Sequence, residues 1–272
     1  MLDRETVLTE MAELGLRATE LGPPEYLPTD PAELKTLLGG HDLTLVGGFL
    51  AIPLHRTDQD LADRTRAEAN RTAELLAAGG AEVLVLAAAT GLAGYDERPA
   101  LTDGEWQTLI RTAAEVRDTA AEYGLKTVLH PHVGTHVETE PEVERFLADS
   151  DLQLCLDTGH LMIGGTDPVV LAERYPARIG HLHLKDVRAD LADEVRAGRL
   201  GYAEAVGRGM YVPLGQGDVD IEAVVRFVHA AGYDGWFVLE QDAALDERSP
   251  LDTPKLDTAR SLHYLNRITG GV

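Results

Sequence analysis

An α/β fold, the (β/α) TIM barrel, follows from three features of the chain. Its short apolar runs are continuous rather than alternating, helix-length segments with readable caps separate them, and polar residues punctuate the ends of the runs. Parallel strands are covered by helices and so read as apolar throughout, whereas the strands of an antiparallel sandwich alternate. With 272 residues, 44% of them hydrophobic, the chain can build one core of barrel size, so a single domain over 1–272 is expected.

Taken in order, the chain opens on a helix whose stripe is Val7, Leu8, Met11 and Leu14. Strand-like runs follow at 18–21, 44–52, 82–89, 126–131, 152–158, 179–186 and 236–241. Thr102 and Glu105 form a capping box ahead of Trp106, Ile110, Ala113, Ala114 and Ala120, and Thr139 with Glu142 repeats it ahead of Val143, Phe146 and Leu147. Asp167 before Pro168 reads as a cap and a first helical position, Asp220 opens a helix that stops at Gly232, and residues 258–266 form a last helix. Residues 187–217, rich in glycine, are expected to be the least regular long segment, with a short helix near 191–195 and the remainder over the barrel mouth. Seven strands are countable where a closed barrel takes eight, so the barrel is expected to be missing its first strand or incomplete there. An open doubly wound sheet is the structural alternative, and the spread of polar residues over several strand ends suits it less well.

Charge and cysteine content narrow the function classes. Lys plus Arg number 24 against 46 Asp plus Glu, a formal net charge of -22. Such a field repels phosphate backbones, so no nucleic-acid partner is expected. Cys155 is the single cysteine, so no intramolecular disulfide can form, which fits a reducing cytoplasm. The first fourteen residues carry early acidic groups and no unbroken apolar stretch, so neither a signal peptide nor a membrane anchor is expected.

Candidate site residues cluster where apolar runs end, because the loops at the carboxyl ends of barrel strands build the site. Asp157 and His160 close the run LQLCLDTGH, His181 and His183 share one face of HLHLKD, and Glu240 ends WFVLE. A fourth group, HPHVGTHVE, supplies His130, His132, His136 and Glu138. Carboxylates with neutral imidazoles make a mixed oxygen and nitrogen site that suits manganese, cobalt, zinc or iron, and magnesium less well. Each residue also has a structural reading: Asp157 as a helix cap, His181 as packing beside a ligand, and Lys185 with Asp186 as an ion pair that fixes the next loop. A lysine near a cation would alternatively stabilise a developing oxyanion.

The segments ATELGPPEYLP at 18–28, LVGGFLAIPLH at 45–55, HPHVGTHVE at 130–138, LDTGHLMIGGTDP at 156–168, RIGHLHLKDV at 178–187, VPLGQGDVD at 212–220 and GWFVLEQD at 235–242 resemble the xylose-isomerase-like (β/α) barrel superfamily. Within it they are most similar to the inosose (2-keto-myo-inositol) dehydratases. That resemblance implies a lyase dehydrating inosose to a cyclohexane dione through an enediolate, with a divalent metal, manganese or cobalt first and zinc, iron or magnesium after them. It implies Asp157, His183 and Glu240 as metal ligands, with the fourth among His130, His132 and Glu138, since many members place Glu where this chain has His130. His160 and Lys185 would contact substrate or move protons, His132 joining His160 as acid or base. A sugar isomerase or epimerase using the same enediolate is the alternative, and a weakly catalytic or noncatalytic sugar-binding barrel is the third reading. Members carry a further strand before the helix that here begins near Glu5, which implies an incomplete barrel, and a homodimer would cover its exposed strand edges.

Overall fold

The computed structural model describes residues 2–245, 250 and 252–270. Every apolar run contains a strand: β1 Ala18–Glu20, β2 Thr44–Ile52, β3 Val83–Ala88, β4 Lys126–Leu129, β5 Gln153–Asp157 and β6 Ile179–Leu184. Two short strands follow, β7 Asp186–Val187 and β8 Tyr211–Val212, and then β9 Phe237–Leu239. The main sheet runs β1-β2-β3-β4-β5-β6-β9, in chain order, as a TIM barrel requires, and β7 pairs antiparallel with β8 outside it. β1 and β9 end the order, and no pairing among the described residues seals them, so the barrel of seven strands is near-closed with an open seam. All six residues of β3 and all six of β6 are buried, which is why those runs never alternate.

The residues fall into two compact units interleaved in sequence. The first, Met1–Gly91 with Pro99–Leu129 and Asp149–Leu152, contains β1 to β4 and the helices Arg4–Glu13, Pro31–Gly40, Gln59–Gly79 and Asp103–Glu122. Each helix start is fixed by a side chain that takes an otherwise unpaired N–H: Asp3, Asp30, Asp58 and Thr102. Thr102 and Glu105 complete both halves of the capping box read from the sequence. Leu34, Leu76, Leu84, Leu86 and Leu109 are fully buried in this unit. Gly48 lets Leu76 pack closely against β2, since a Cβ there would lie 2.7 Å from Leu76 Cδ2.

The second unit, Leu92–Arg98 with His130–Ala148 and Gln153–Val272, holds β5 to β9 and every candidate site residue. Asp167 and Asp220 cap their helices as expected, and the Glu142 carboxylate reaches back to the Glu138 and Thr139 N–H groups at 3.0 and 2.9 Å. Residues 187–217 are more ordered than their composition suggests. They form the helices Ala189–Arg196 and Tyr202–Gly207 and the β7–β8 ribbon, elements too short to leave a periodic signal. Of the two readings of Lys185, the structure does not show the ion pair with Asp186. Asp186 instead accepts backbone N–H bonds from Val187, Gly215, Gly217 and Val219 at 2.8 to 3.1 Å, so one buried carboxylate organises the loop that follows β8. No helix among the described residues is long and apolar enough to cross a membrane.

Candidate metal centre

Asp157 lies at the end of β5 and divides its two oxygens between two tasks. Oδ1 accepts from the N–H groups of Gly159 and His160 at 2.9 and 2.8 Å, so the capping reading holds. Oδ2 is left facing inward, 3.0 Å from Lys185 Nζ, 3.4 Å from His130 Nε2 and 3.7 Å from His183 Nδ1, and meets none of them in hydrogen-bond geometry. The Glu240 N–H bonds Leu184 O at 3.2 Å, continuing the β6–β9 pairing and bringing its side chain to His183, where Oε1 lies 3.1 Å from Nδ1. The other Glu240 oxygen pairs with Lys185 Nζ, which also meets Asp242 Oδ2 at 3.2 Å. Three carboxylates thus converge on one ammonium. The formal balance is two negative charges in a largely buried site, the deficit that a divalent cation offsets.

The histidine hydrogen bonds fix their tautomers, because a carbonyl only accepts and a backbone N–H only donates. His130 Nδ1 lies 2.8 Å from Pro131 O and therefore carries its hydrogen, which in the neutral ring leaves a lone pair on Nε2 facing Asp157 Oδ2. Two facing acceptors need a cation between them, a proton or a metal ion. His132 likewise donates from Nδ1 to Val133 O at 2.7 Å, which in the neutral ring leaves the lone pair on Nε2. His160 is the opposite tautomer: its Nδ1 accepts the Val133 N–H at 3.4 Å, so Nε2 holds the hydrogen. The His132 and His160 rings lie 3.7 Å apart at 33°.

Burial, with the positive character of His130 and Lys185, pushes His132 down to about 3. Burial also lowers His160 well below the usual imidazole range, reinforced by His132 and Lys185. For Asp157 burial pushes upward, but Lys185 and His160 outweigh it and hold the carboxyl well below its ordinary range. Burial lowers Lys185, yet Asp157, Glu240 and Asp242 carry it well above the ordinary lysine value. Glu240 is raised by burial and carried net downward by His183 and Lys185. Asp157 and Glu240 are therefore ionised, Lys185 charged, and His132 and His160 neutral at neutral pH.

Donor atoms of Asp157, His183 and Glu240 come within 4.8 Å of one another, as do those of His130, Asp157 and His160 and those of His130, Cys155 and His183. The residues present fit a divalent ion: the mixed oxygen and nitrogen set matches such ions, and the buried Asp157 Oδ2 lacks the hydrogen bond that a ligand bond would replace. Glu138 stands apart from these groups. Its carboxylate lies 2.9 Å from Arg98 Nε and 2.6 Å from the Gly134 N–H, which ties down the loop after His132. His181 packs beside His183, with ring centroids 5.3 Å apart.

Four residues near the centre escaped the sequence reading. Asp242 is two residues beyond Glu240 in EQD and could have been found by the strand-end rule. Tyr202 and Tyr211 arrive from the segment read as irregular, and Tyr95 from the loop after β3, with no strand-end signal of their own.

Residues 8–268 match the family of xylose isomerase-like TIM barrels. An inosose dehydratase from Lacticaseibacillus casei is 32% identical over 258 residues, covering 91% of this chain and 85% of that protein. An inosose dehydratase from Geobacillus kaustophilus is 35% identical over 260 residues, covering 89% and 82%. Among solved structures, an L-ribulose 3-epimerase superposes with a TM-score of 0.74 at 19% identity, over 98% of this chain and 88% of that one, a likeness of fold.

Proposed function

Since the chain belongs to the xylose isomerase-like TIM barrel family, we propose that it is a metal-dependent lyase that dehydrates inosose (2-keto-myo-inositol) to a cyclohexane dione through an enediolate. The observation that carries this reading is the convergence of Asp157, His183 and Glu240, with His130 Nε2 turned toward the same Asp157 oxygen. Those four would hold the ion, and Glu138, engaged by Arg98, would not. Manganese or cobalt suits the donor set best; zinc or iron also fits, and magnesium accepts imidazole less readily. The inosose dehydratases at 32% and 35% identity support the substrate. We read residues 1–272 as one domain acting in the cytoplasm on a small polyhydroxylated ketone, as a homodimer that covers the exposed strand edges.

A divalent ion in this centre supplies a Lewis acid that makes a C–H beside a ketone more acidic. His132 presents the lone pair on Nε2 and takes that carbon-bound proton. Its lowered pKa keeps that lone pair unprotonated at neutral pH. His160 holds hydrogen on Nε2 and donates a hydrogen bond to the departing β-hydroxyl. The proton lifted by His132 completes the water that leaves, so no proton is lost or gained overall. Lys185 keeps Asp157, Glu240 and Asp242 in register and lends positive charge where an oxyanion develops.

Incubating metal-loaded protein with inosose in deuterated water, and following both the dione and the recovered ketone, tests the reading. Dione formation supports it. Deuterium in a recovered sugar with no loss of water would assign the isomerase or epimerase alternative, and binding without any exchange would assign a noncatalytic sugar-binding barrel.

A further inference from the structure

Three tyrosines flank the histidine pair and take no part in the proton transfers above. Tyr202 begins its helix, Tyr211 begins β8, and their hydroxyls lie 2.9 Å apart with both residues buried. One phenol must donate to the other, and the accepting phenol keeps an O–H that meets no acceptor among the described residues. His160 lies 6.2 Å from the Tyr202 ring and 6.3 Å from the Tyr211 ring. Tyr95 lies 4.8 Å from Tyr202 and, nearly parallel at 28°, 6.2 Å from His132, and it is 44% exposed.

The segment that carries Tyr95 is held in place. Asp96 Oδ1 accepts the Tyr202 N–H at 2.8 Å, and Arg98 donates to Thr135 O at 2.6 Å. Gly134 permits the approach, since a Cβ there would fall 2.8 Å from Tyr95 Cα. An exposed aromatic face and a buried hydroxyl pair therefore meet beside the proposed base and acid.

We propose that Tyr95, Tyr202 and Tyr211 form the recognition wall for a cyclic polyol, Tyr95 covering a C–H face of the ring and the Tyr202–Tyr211 hydroxyl pair reading one ring hydroxyl. Asp96 is the positioning residue that sets Tyr202. This rests on the proposed action on a cyclic polyhydroxylated ketone. A cyclohexane ring with equatorial hydroxyls has an apolar C–H face and a polar rim, the two surfaces this wall complements, whereas an acyclic polyol presents no fixed face. A site built to bond a hydroxyl also rejects analogues that lack it.

Titration calorimetry of manganese-loaded protein with myo-inositol and with sorbitol tests the wall, with circular dichroism to check the fold of each variant. Wild type should prefer myo-inositol. Tyr202→Phe and Tyr211→Phe should weaken its binding about tenfold, and Tyr95→Ala should narrow the preference over sorbitol. Asp96→Ala should reproduce Tyr202→Phe, while Asp96→Asn, which keeps an acceptor oxygen, should bind as wild type. Wild type that binds myo-inositol but dehydrates no inosose overturns the dehydratase reading and leaves the wall standing. Phe variants that bind as tightly as wild type, or a wild type that binds neither polyol, overturn the wall alone, since the dehydratase reading is tested by turnover of the ketone.

Discussion

Replacing Lys185 with Met removes the one ammonium on which Asp157, Glu240 and Asp242 converge and nearly preserves the length of the side chain. Removing one partner of a buried pair costs about 3–5 kcal/mol, since the remaining charges stay buried without compensation. Asp157 is fully buried and pays this in full, whereas the Asp242 and Glu240 side chains are 44% and 28% exposed, so solvent screens part of their repulsion. The metal-free variant should consequently lie near the lower figure, about 3 kcal/mol below wild type. Manganese should return more of that loss than it adds to wild type. At one hundred times its dissociation constant an ion contributes about 2.7 kcal/mol, and a tenfold gain in affinity from the unmatched carboxylates adds about 1.4 kcal/mol. Urea unfolding in chelator and in excess manganese measures both quantities. A metal-free variant as stable as wild type, or equal stabilisation of both proteins by manganese, would refute the charge balance described here.

Glu240→Gln keeps the volume and one acceptor oxygen, so the barrel should stay folded while metal affinity and most turnover are lost; excess metal should restore part of the activity. A folded variant with unchanged metal content by elemental analysis and normal rate would reduce Glu240 to a rim ion pair worth about 0–1 kcal/mol. His132 is depressed to about 3 in the folded protein against 6.5 for the free side chain, so the unfolded chain binds the extra proton. Stability should be complete above about pH 6.5 and fall by up to about 4 kcal/mol as pH drops towards 3. Melting curves of metal-free His132→Gln should show a flatter acid limb, and an unchanged slope would contradict the assignment. Asp186→Asn offers an amide nitrogen to N–H groups of the loop it organises, and should cost about 2–4 kcal/mol in urea unfolding. A loss below 1 kcal/mol would show that the loop holds its shape by other contacts.

How much of this was legible in the sequence depended on whether a signal was local. The strands were readable because residues such as Val83 to Ala88 are buried on both faces and leave a continuous apolar run. The caps at Thr102, Asp167 and Asp220 were readable because a cap acts within three residues of itself. Asp157 and Glu240 stood out because each ends an apolar run, and His183 because it shares one face of HLHLKD with His181. The ion pair that engages Glu138 could not be read that way, since its partner Arg98 lies some forty residues earlier. The tyrosines were hidden for a similar reason: Asp96 and Tyr202 are 106 residues apart, and the two-residue strands of the β7–β8 ribbon leave no periodicity. For Lys185 the sequence left two readings, an ion pair with Asp186 or an ammonium beside the centre, and its partners, at the ends of β5 and β9, carried no local signal.

Anomalous diffraction at the manganese edge, from crystals of the manganese-loaded protein, tests the metal centre most directly. The expected result is a single strong peak within coordination distance, about 2.0–2.3 Å, of Asp157 Oδ2, a Glu240 carboxylate oxygen and imidazole nitrogens of His183 and His130. A peak at other side chains, or none in protein shown by elemental analysis to contain bound manganese, would contradict it.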